Sequence, residues 1–146
     1  MFKLDIEVPA YAIVYGKRDL RKALRAIGAI VARKARSLIR SSKESKPGLP
    51  PVSRTGALAS SIKVRPSKTG DSVSVKDTKF YALFLEKGAV GGGGRKRTGR
   101  NKRGTPTTKR VLEPRPFLSV ALEQTQAMIR AKLEQAVQNS ITGGTK

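Results

Sequence analysis

The chain has 146 residues, with 31 Lys and Arg against 10 Asp and Glu, a formal charge of +21, and no His, Cys or Trp. That length suits one domain with one modest core. The missing residue types exclude disulfides, iron–sulfur clusters, most zinc sites, thiol nucleophiles and any Ser-His or Cys-His catalytic pair, so composition argues for a binding or structural protein that needs no cofactor and is not an enzyme.

Phe2, Leu4, Ile6 and Val8 alternate with Lys3, Asp5 and Glu7, a period of two that predicts a half-buried strand ended by Pro9. The period then changes. Leu20, Leu24, Ile27, Val31 and Leu38 share a helical face widened by Ala23, Ile30 and Ala35, which predicts a long amphipathic helix at about 18–42. Residues 43–56 hold Pro47, Gly48, Pro50, Pro51 and Gly56 and read as an extended loop. Thr55–Ser61 reads as a short helical turn. Ile62 and Val64, alternating with Lys63 and Arg65, give a strand that stops at Pro66, and a turn at 67–71 leads to a return strand at 72–75.

Residues 80–88 are the most apolar stretch, read either as a buried strand or as a short helix, with Tyr81, Phe84 and Leu85 expected inside as core anchors. Glu86 is expected to be an exposed partner for one of the many cations. Four glycines, Gly91–Gly94, open a run that has no apolar residue until Val111, so 91–110 is expected to lack order of its own. After Pro114-Arg115-Pro116 the helical period returns at Phe117, Leu118, Ala121, Leu122, Thr125, Ile129, Leu133, Ala136 and Val137, predicting a second helix at about 116–139. The expected fold is α+β: one domain over 1–146, a small antiparallel sheet packed by a long N-terminal and a C-terminal amphipathic helix, with loops at 43–56 and 89–113.

The positive charge is concentrated. Residues 17–40 carry nine cations against Asp19 alone, and 91–110 carry eight with no acid, so each segment has a net charge of +8. The first set is read as a basic outer face that includes Arg18, Arg21, Lys22, Arg25, Arg33, Arg36 and Arg40. The second is Arg95, Lys96, Arg97, Arg100, Lys102, Arg103, Lys109 and Arg110, on a loop. Two such surfaces imply an anionic partner, either nucleic acid or an acidic protein surface. No aromatic residue falls between Phe84 and Phe117, so the loop lacks base-stacking platforms, and any nucleic-acid contact there is to phosphate.

Chemical motifs are weak. Gly94 and Gly99 have phosphate-loop spacing, but the Lys and Ser/Thr that belong after the second glycine are missing. A metal-dependent nuclease needs converging carboxylates, and Asp71, Asp77 and Glu86 match no such spacing. The apolar stretches fall far short of the roughly 20 residues needed to cross a bilayer. The N-terminal residues do not read as a signal peptide, so a cytoplasm, or a particle assembled there, is the expected location.

Three ordered islands carry a resemblance: Arg54-Thr55-Gly56-Ala57-Leu58-Ala59-Ser60-Ser61-Ile62, Tyr81-Ala82-Leu83-Phe84-Leu85-Glu86-Lys87-Gly88, and Pro114-Arg115-Pro116-Phe117-Leu118-Ser119-Val120-Ala121-Leu122. Over about 18–138 the chain resembles the tail-component family of tailed bacteriophages, of the HK-ninety-seven type. Members are described as head–tail joining, tail-completion or minor tail proteins. The resemblance implies a non-enzymatic virion protein of the neck or upper tail, assembled in the host cytoplasm as an oligomeric ring, with a hexamer expected. Its partners would be neck, connector and tail-tube proteins, with DNA in the channel as a further candidate and no membrane. It makes Thr55, Gly56, Leu58, Tyr81, Phe84, Glu86, Gly88, Arg115, Pro116 and Phe117 structural motif residues, and the charge of the loop 91–110 reads as a docking arm for an acidic neck or tail-tube surface, or for DNA in the channel. That loop is more basic than family members lead one to expect, and segment 2–8 lies outside the resemblance. The other reading, from the charge alone, is a nonspecific nucleic-acid-binding protein that uses the same loop and helix.

Overall fold

A computed structural model describes residues 3–7, 17–52, 54–91 and 111–142, with side chains placed for 18–52, 54–91 and 111–139. The chain runs through β1 (Lys3–Glu7), α1 (Lys17–Ser41), α2 (Ala57–Ser61), β2 (Ile62–Pro66), β3 (Ser72–Asp77), α3 (Ala82–Lys87), β4 (Ala89–Val90), β5 (Val111–Leu112) and α4 (Leu118–Thr142). This is the α+β architecture expected from the sequence. The 80–88 stretch resolves as a helix, and α4 begins and ends slightly later than its periodicity indicates. Phe2, Val8 and Pro9 lie outside the described residues.

β3 is the middle strand of a three-stranded sheet in the order β1-β3-β2, antiparallel throughout. Its inward residues are Val73, Val75 and Asp77, and the residues between them are half-buried, as a period of two requires. Pro66 ends β2 on the sheet edge, where its missing N–H costs no ladder bond. In the turn between β2 and β3, Thr69 donates its hydroxyl to Asp71 at 2.5 Å, and this bond holds the Asp71 carboxyl below its ordinary value. Arg21 donates to the Thr69 carbonyl at 2.8 Å and ties the turn to α1.

α1 forms because one face is apolar along its whole length. Leu20, Leu24, Ile27, Val31, Ala32, Ala35 and Ile39 are all buried, and the charged residues lie mostly outward. The helix packs against α4, α2, β2 and β3. Ile27, Val31 and Ile39 join Ile62, Val75, Phe117, Leu118 and Ile129 in one core. Leu38 sits at the edge of this cluster, and Ile39 takes the fully buried place. The buried face of α4 follows its expected period through Leu118, Ala121, Thr125, Ile129 and Ala136. Thr125 satisfies its own hydroxyl by donating to the Ala121 carbonyl at 2.8 Å.

Gly28 lets α1 approach the hairpin closely. A Cβ there would lie 2.6 Å from Val64 Cγ1 and 2.8 Å from Val73 Cγ2. Alanine favours a helix by about 1 kcal/mol over glycine, but overpacking against two stiff valines costs about 1–3 kcal/mol. Gly28→Ala is therefore expected to destabilise the chain by about 1 kcal/mol, measured by urea unfolding, where an exposed helical glycine would show a gain.

Candidate functional site

Among the described residues, the three sequence islands come together around α3. This helix is only six residues long, so each side chain's direction follows from its place in one and a half turns. Ala82 and Glu86, four apart, point inward and are buried. Tyr81 and Leu85 flank them, half-buried against the core. Phe80 and Phe84 share the remaining face and are 77% and 44% exposed.

Two expectations from the sequence are overturned by this geometry. Phe84 is not a core anchor, because the inward line of α3 is set by Ala82 and Glu86. Glu86 is not an exposed counter-ion: it is 6% exposed and caps a helix. Its Oε2 accepts from the N–H groups of Phe117 (3.0 Å) and Leu118 (3.3 Å), and its Oε1 accepts from the N–H (2.8 Å) and hydroxyl (2.6 Å) of Ser119. The first turn of α4 contains no acid of its own. A carboxylate from 31 residues upstream therefore satisfies the orphan donors of that turn and complements the positive end of the helix dipole.

The third island is fixed at two more points, one on the second island and one on the 43–56 loop. The Arg115 N–H donates to the Leu85 carbonyl at 2.6 Å, and the Gly48 N–H to the Pro114 carbonyl at 2.9 Å. Gly88, the end of the second island, has φ +74° and ψ 174° and passes directly under Leu112. Pro116 is half-buried, and Phe117 is fully buried in the core. In the first island Gly56 precedes α2 with φ +73°, the Thr55 hydroxyl lies 3.4 Å from the Ala57 N–H, and Leu58 is buried.

These contacts frame an open cleft of about 800 Å3. Its cations are Lys43, Arg54 and Arg115, and its apolar lining includes Pro51, Val52, Leu58, Tyr81 and Leu85, with no acid. Arg115 Nε is buried and meets no hydrogen-bond partner among the described residues. Sequence reading named Thr55, Leu58, Tyr81 and Arg115 without bringing them together, and it missed Lys43, Pro51 and Val52, which read only as loop.

A second cleft, about 680 Å3, lies between α1 and α2 and is lined by Arg33, Arg36 and Arg40 with Ser37, Ser41 and Ser60. Arg36 departs from the expected outward basic face. It is half-buried and donates to the Ile62 carbonyl at 2.6 Å and the Ala59 carbonyl at 3.2 Å, closing the C-terminal end of α2. Arg18, Arg21, Lys22, Arg25, Arg33 and Arg40 are exposed as expected. The eight arm cations, Arg95, Lys96, Arg97, Arg100, Lys102, Arg103, Lys109 and Arg110, lie outside the described residues.

The buried acids among the metal-site candidates have other work. Asp77 is fully buried, with Oδ1 2.8 Å from the Ser61 hydroxyl and accepting from the Lys79 N–H at 2.7 Å. Glu86 is occupied at α4. Among the described residues no three His, Cys, Asp or Glu gather into a possible metal site, and no helix is long and apolar enough to cross a membrane.

A family model, described as "Bacteriophage HK97-gp10, putative tail-component", matches residues 15–88, half of the chain. The chain belongs to the HK97-gp10-like family. No curated protein and no solved structure matches it. The HK97-gp10-like segment runs from the start of α1 through Gly88 and so contains the first two islands. The third island and α4 lie beyond the match; they pack on α1 inside it, and Glu86, also inside it, caps α4. Membership gives the chain a structural role as a bacteriophage tail component, and with it a place among virion proteins.

Proposed function

We propose that this tail component acts at the neck or upper tail, where it completes the tail or joins it to the head as one subunit of an oligomeric ring, a hexamer. In this reading the chain is one non-enzymatic domain. The arm at 91–110 docks onto an acidic surface of a neck, connector or tail-tube neighbour. The observation that carries the reading is the family match over α1 to α3, which ends at the cap holding α4. A small basic protein gains from a closed ring, because contacts between copies cover surface that a lone subunit leaves in water.

The test is electron microscopy of a lysate from the parent phage carrying a stop codon at Arg33. DNA-filled heads beside detached tails, of normal or uncontrolled length, are expected, with few infectious particles. Intact infectious particles would overturn the reading.

The Arg33, Arg36 and Arg40 cleft with its three serines favours a second reading, a nonspecific nucleic-acid-binding protein, since arginine and hydroxyl groups are the usual donors to phosphate. That reading requires purified protein to bind duplex DNA with a steep salt dependence. Removing 91–110 should lower the salt slope by several units, because up to about eight phosphate contacts are lost.

A further inference from the structure

The cleft framed by the three islands differs from the arginine and serine cleft on α1 because its cations share the lining with an apolar floor of Pro51, Val52, Leu58, Tyr81 and Leu85. We propose that it seats an acidic segment of a neighbouring protein, an extended peptide that places a carboxylate among Lys43, Arg54 and Arg115 and an apolar side chain on Leu58, Tyr81 and Leu85. The inference rests on the neck reading for the presence of a protein neighbour, and it adds the site and the chemistry of the contact.

Three observations carry it. Among the described residues the lining holds three cations and no acid, so it attracts a negative group. Arg115 is positioned by the backbone on both sides: its own N–H is held by Leu85, and Phe117, two residues on, is held by Glu86. Its buried Nε still has no acceptor among the described residues. The Arg115 guanidinium lines the cleft, and a charge-assisted bond to a carboxylate entering there is stronger than a neutral one. The third observation decides between classes of partner. A nucleic-acid strand is bound along a groove of cations with aromatic faces for its bases. In this cleft the cations share the lining with Pro51, Val52, Leu58 and Leu85, and Tyr81, its aromatic residue, meets Phe80 edge to face at 5.5 Å and packs against the core cluster. An apolar peptide side chain fits that floor better than a stacked base.

The probe is a short fluorescein-labelled peptide alternating glutamate and leucine, titrated into the full chain and read by anisotropy. The variant pairs Arg54→Gln with Arg115→Gln and Arg33→Gln with Arg40→Gln remove the same charge, one pair from this cleft and one from the α1 surface. The cleft pair is expected to weaken binding about tenfold, and the α1 pair less than about twofold. Arg54 is exposed, so Arg54→Gln alone keeps the wild-type melting profile and still weakens the peptide by about threefold, which separates loss of the site from loss of the fold. Equal losses in the two pairs, or no peptide binding, would overturn the proposal. So would single-stranded DNA of matched charge losing affinity with the cleft pair while the peptide does not. None of these outcomes touches the phage-particle phenotype, which tests the neck reading separately.

Discussion

Replacing Glu86 with alanine is expected to lower stability by about 3 kcal/mol, equivalent to a fall of about 10 °C in Tm for a chain of this size. The size of the effect follows from what is left behind. The carboxylate serves the N–H groups of Phe117, Leu118 and Ser119 and the Ser119 hydroxyl, and Phe117 and Leu118 are fully buried. Alanine strands those donors at a helix end that water reaches poorly and removes the negative charge beside the positive end of α4. Glu86→Gln keeps an acceptor but no charge and is expected to cost about half as much. Phe84→Ser, on the outward face of the same helix, uncovers only part of a side chain and should cost about 1 kcal/mol, clearly less than Glu86→Ala. Thermal melts followed by circular dichroism distinguish the three. Were Glu86→Ala to melt with wild type and Phe84→Ser well below it, α3 would have to face the core with Phe84 instead of Glu86.

Gly88→Ala is the second large effect. At φ +74° and ψ 174° the backbone occupies a region essentially confined to glycine, and strain there costs about 1–3 kcal/mol for other residues. Relief by local movement is blocked. The new Cβ would lie 2.7 Å from the Leu112 carbonyl oxygen, 3.1 Å from Pro114 N and 3.2 Å from Pro114 Cδ, none of which is the end of a flexible side chain. A total loss of about 3 kcal/mol is expected. Its location is as informative as its size. Among the described residues β4 and β5 pair through Ala89 with Leu112 and Val90 with Val111, so pushing Leu112 away disturbs that ladder at the root of the arm. Amide hydrogen exchange should show faster exchange at Arg115 and Phe117, whose N–H groups are bonded to Leu85 and Glu86, while the α1 amides change only as far as global stability falls. Uniform acceleration throughout the chain would mean that Gly88 supports the whole fold rather than this junction.

The two experiments bear on function through the same geometry. Glu86 and Gly88 lie at the end of the segment matched to the tail-component family and hold the residues that follow it. A phage carrying Glu86→Gln is therefore the milder companion to the stop at Arg33, because it weakens the joint between the matched segment and α4 without removing the protein.

The elements themselves are legible in the sequence because each rests on short-range periodicity. The seam from Leu20 to Val31 can be buried only by a helix, and the alternation from Ile62 to Arg65 only by a strand. Prolines and glycines at 43–56 leave no regular element there, and the islands around Thr55, Tyr81 and Pro114 carry the family resemblance. A trace of the cap is legible too. No Ser, Thr, Asp or Asn stands at Phe117, immediately before α4, so a buried helix start without a local cap calls for an acceptor from elsewhere.

Which acceptor it is, only the tertiary structure decides. Over a helix as short as α3 the sequence pattern is satisfied equally well with Phe84 inside or outside, and the choice falls to whichever face must deliver a carboxylate to α4. Arg36 illustrates the same limit, since nothing in its spacing along α1 distinguishes it from Arg33 or Arg40 until the Ala59 and Ile62 carbonyls arrive beside it. The cleft of Lys43, Arg54 and Arg115 draws on a loop, a turn and a helix approach that are far apart in the chain. Local periodicity reports which residues share a face of one element. The partners that meet that face are set by long-range packing, and for Glu86, Arg36 and Arg115 those partners decide what the charge does.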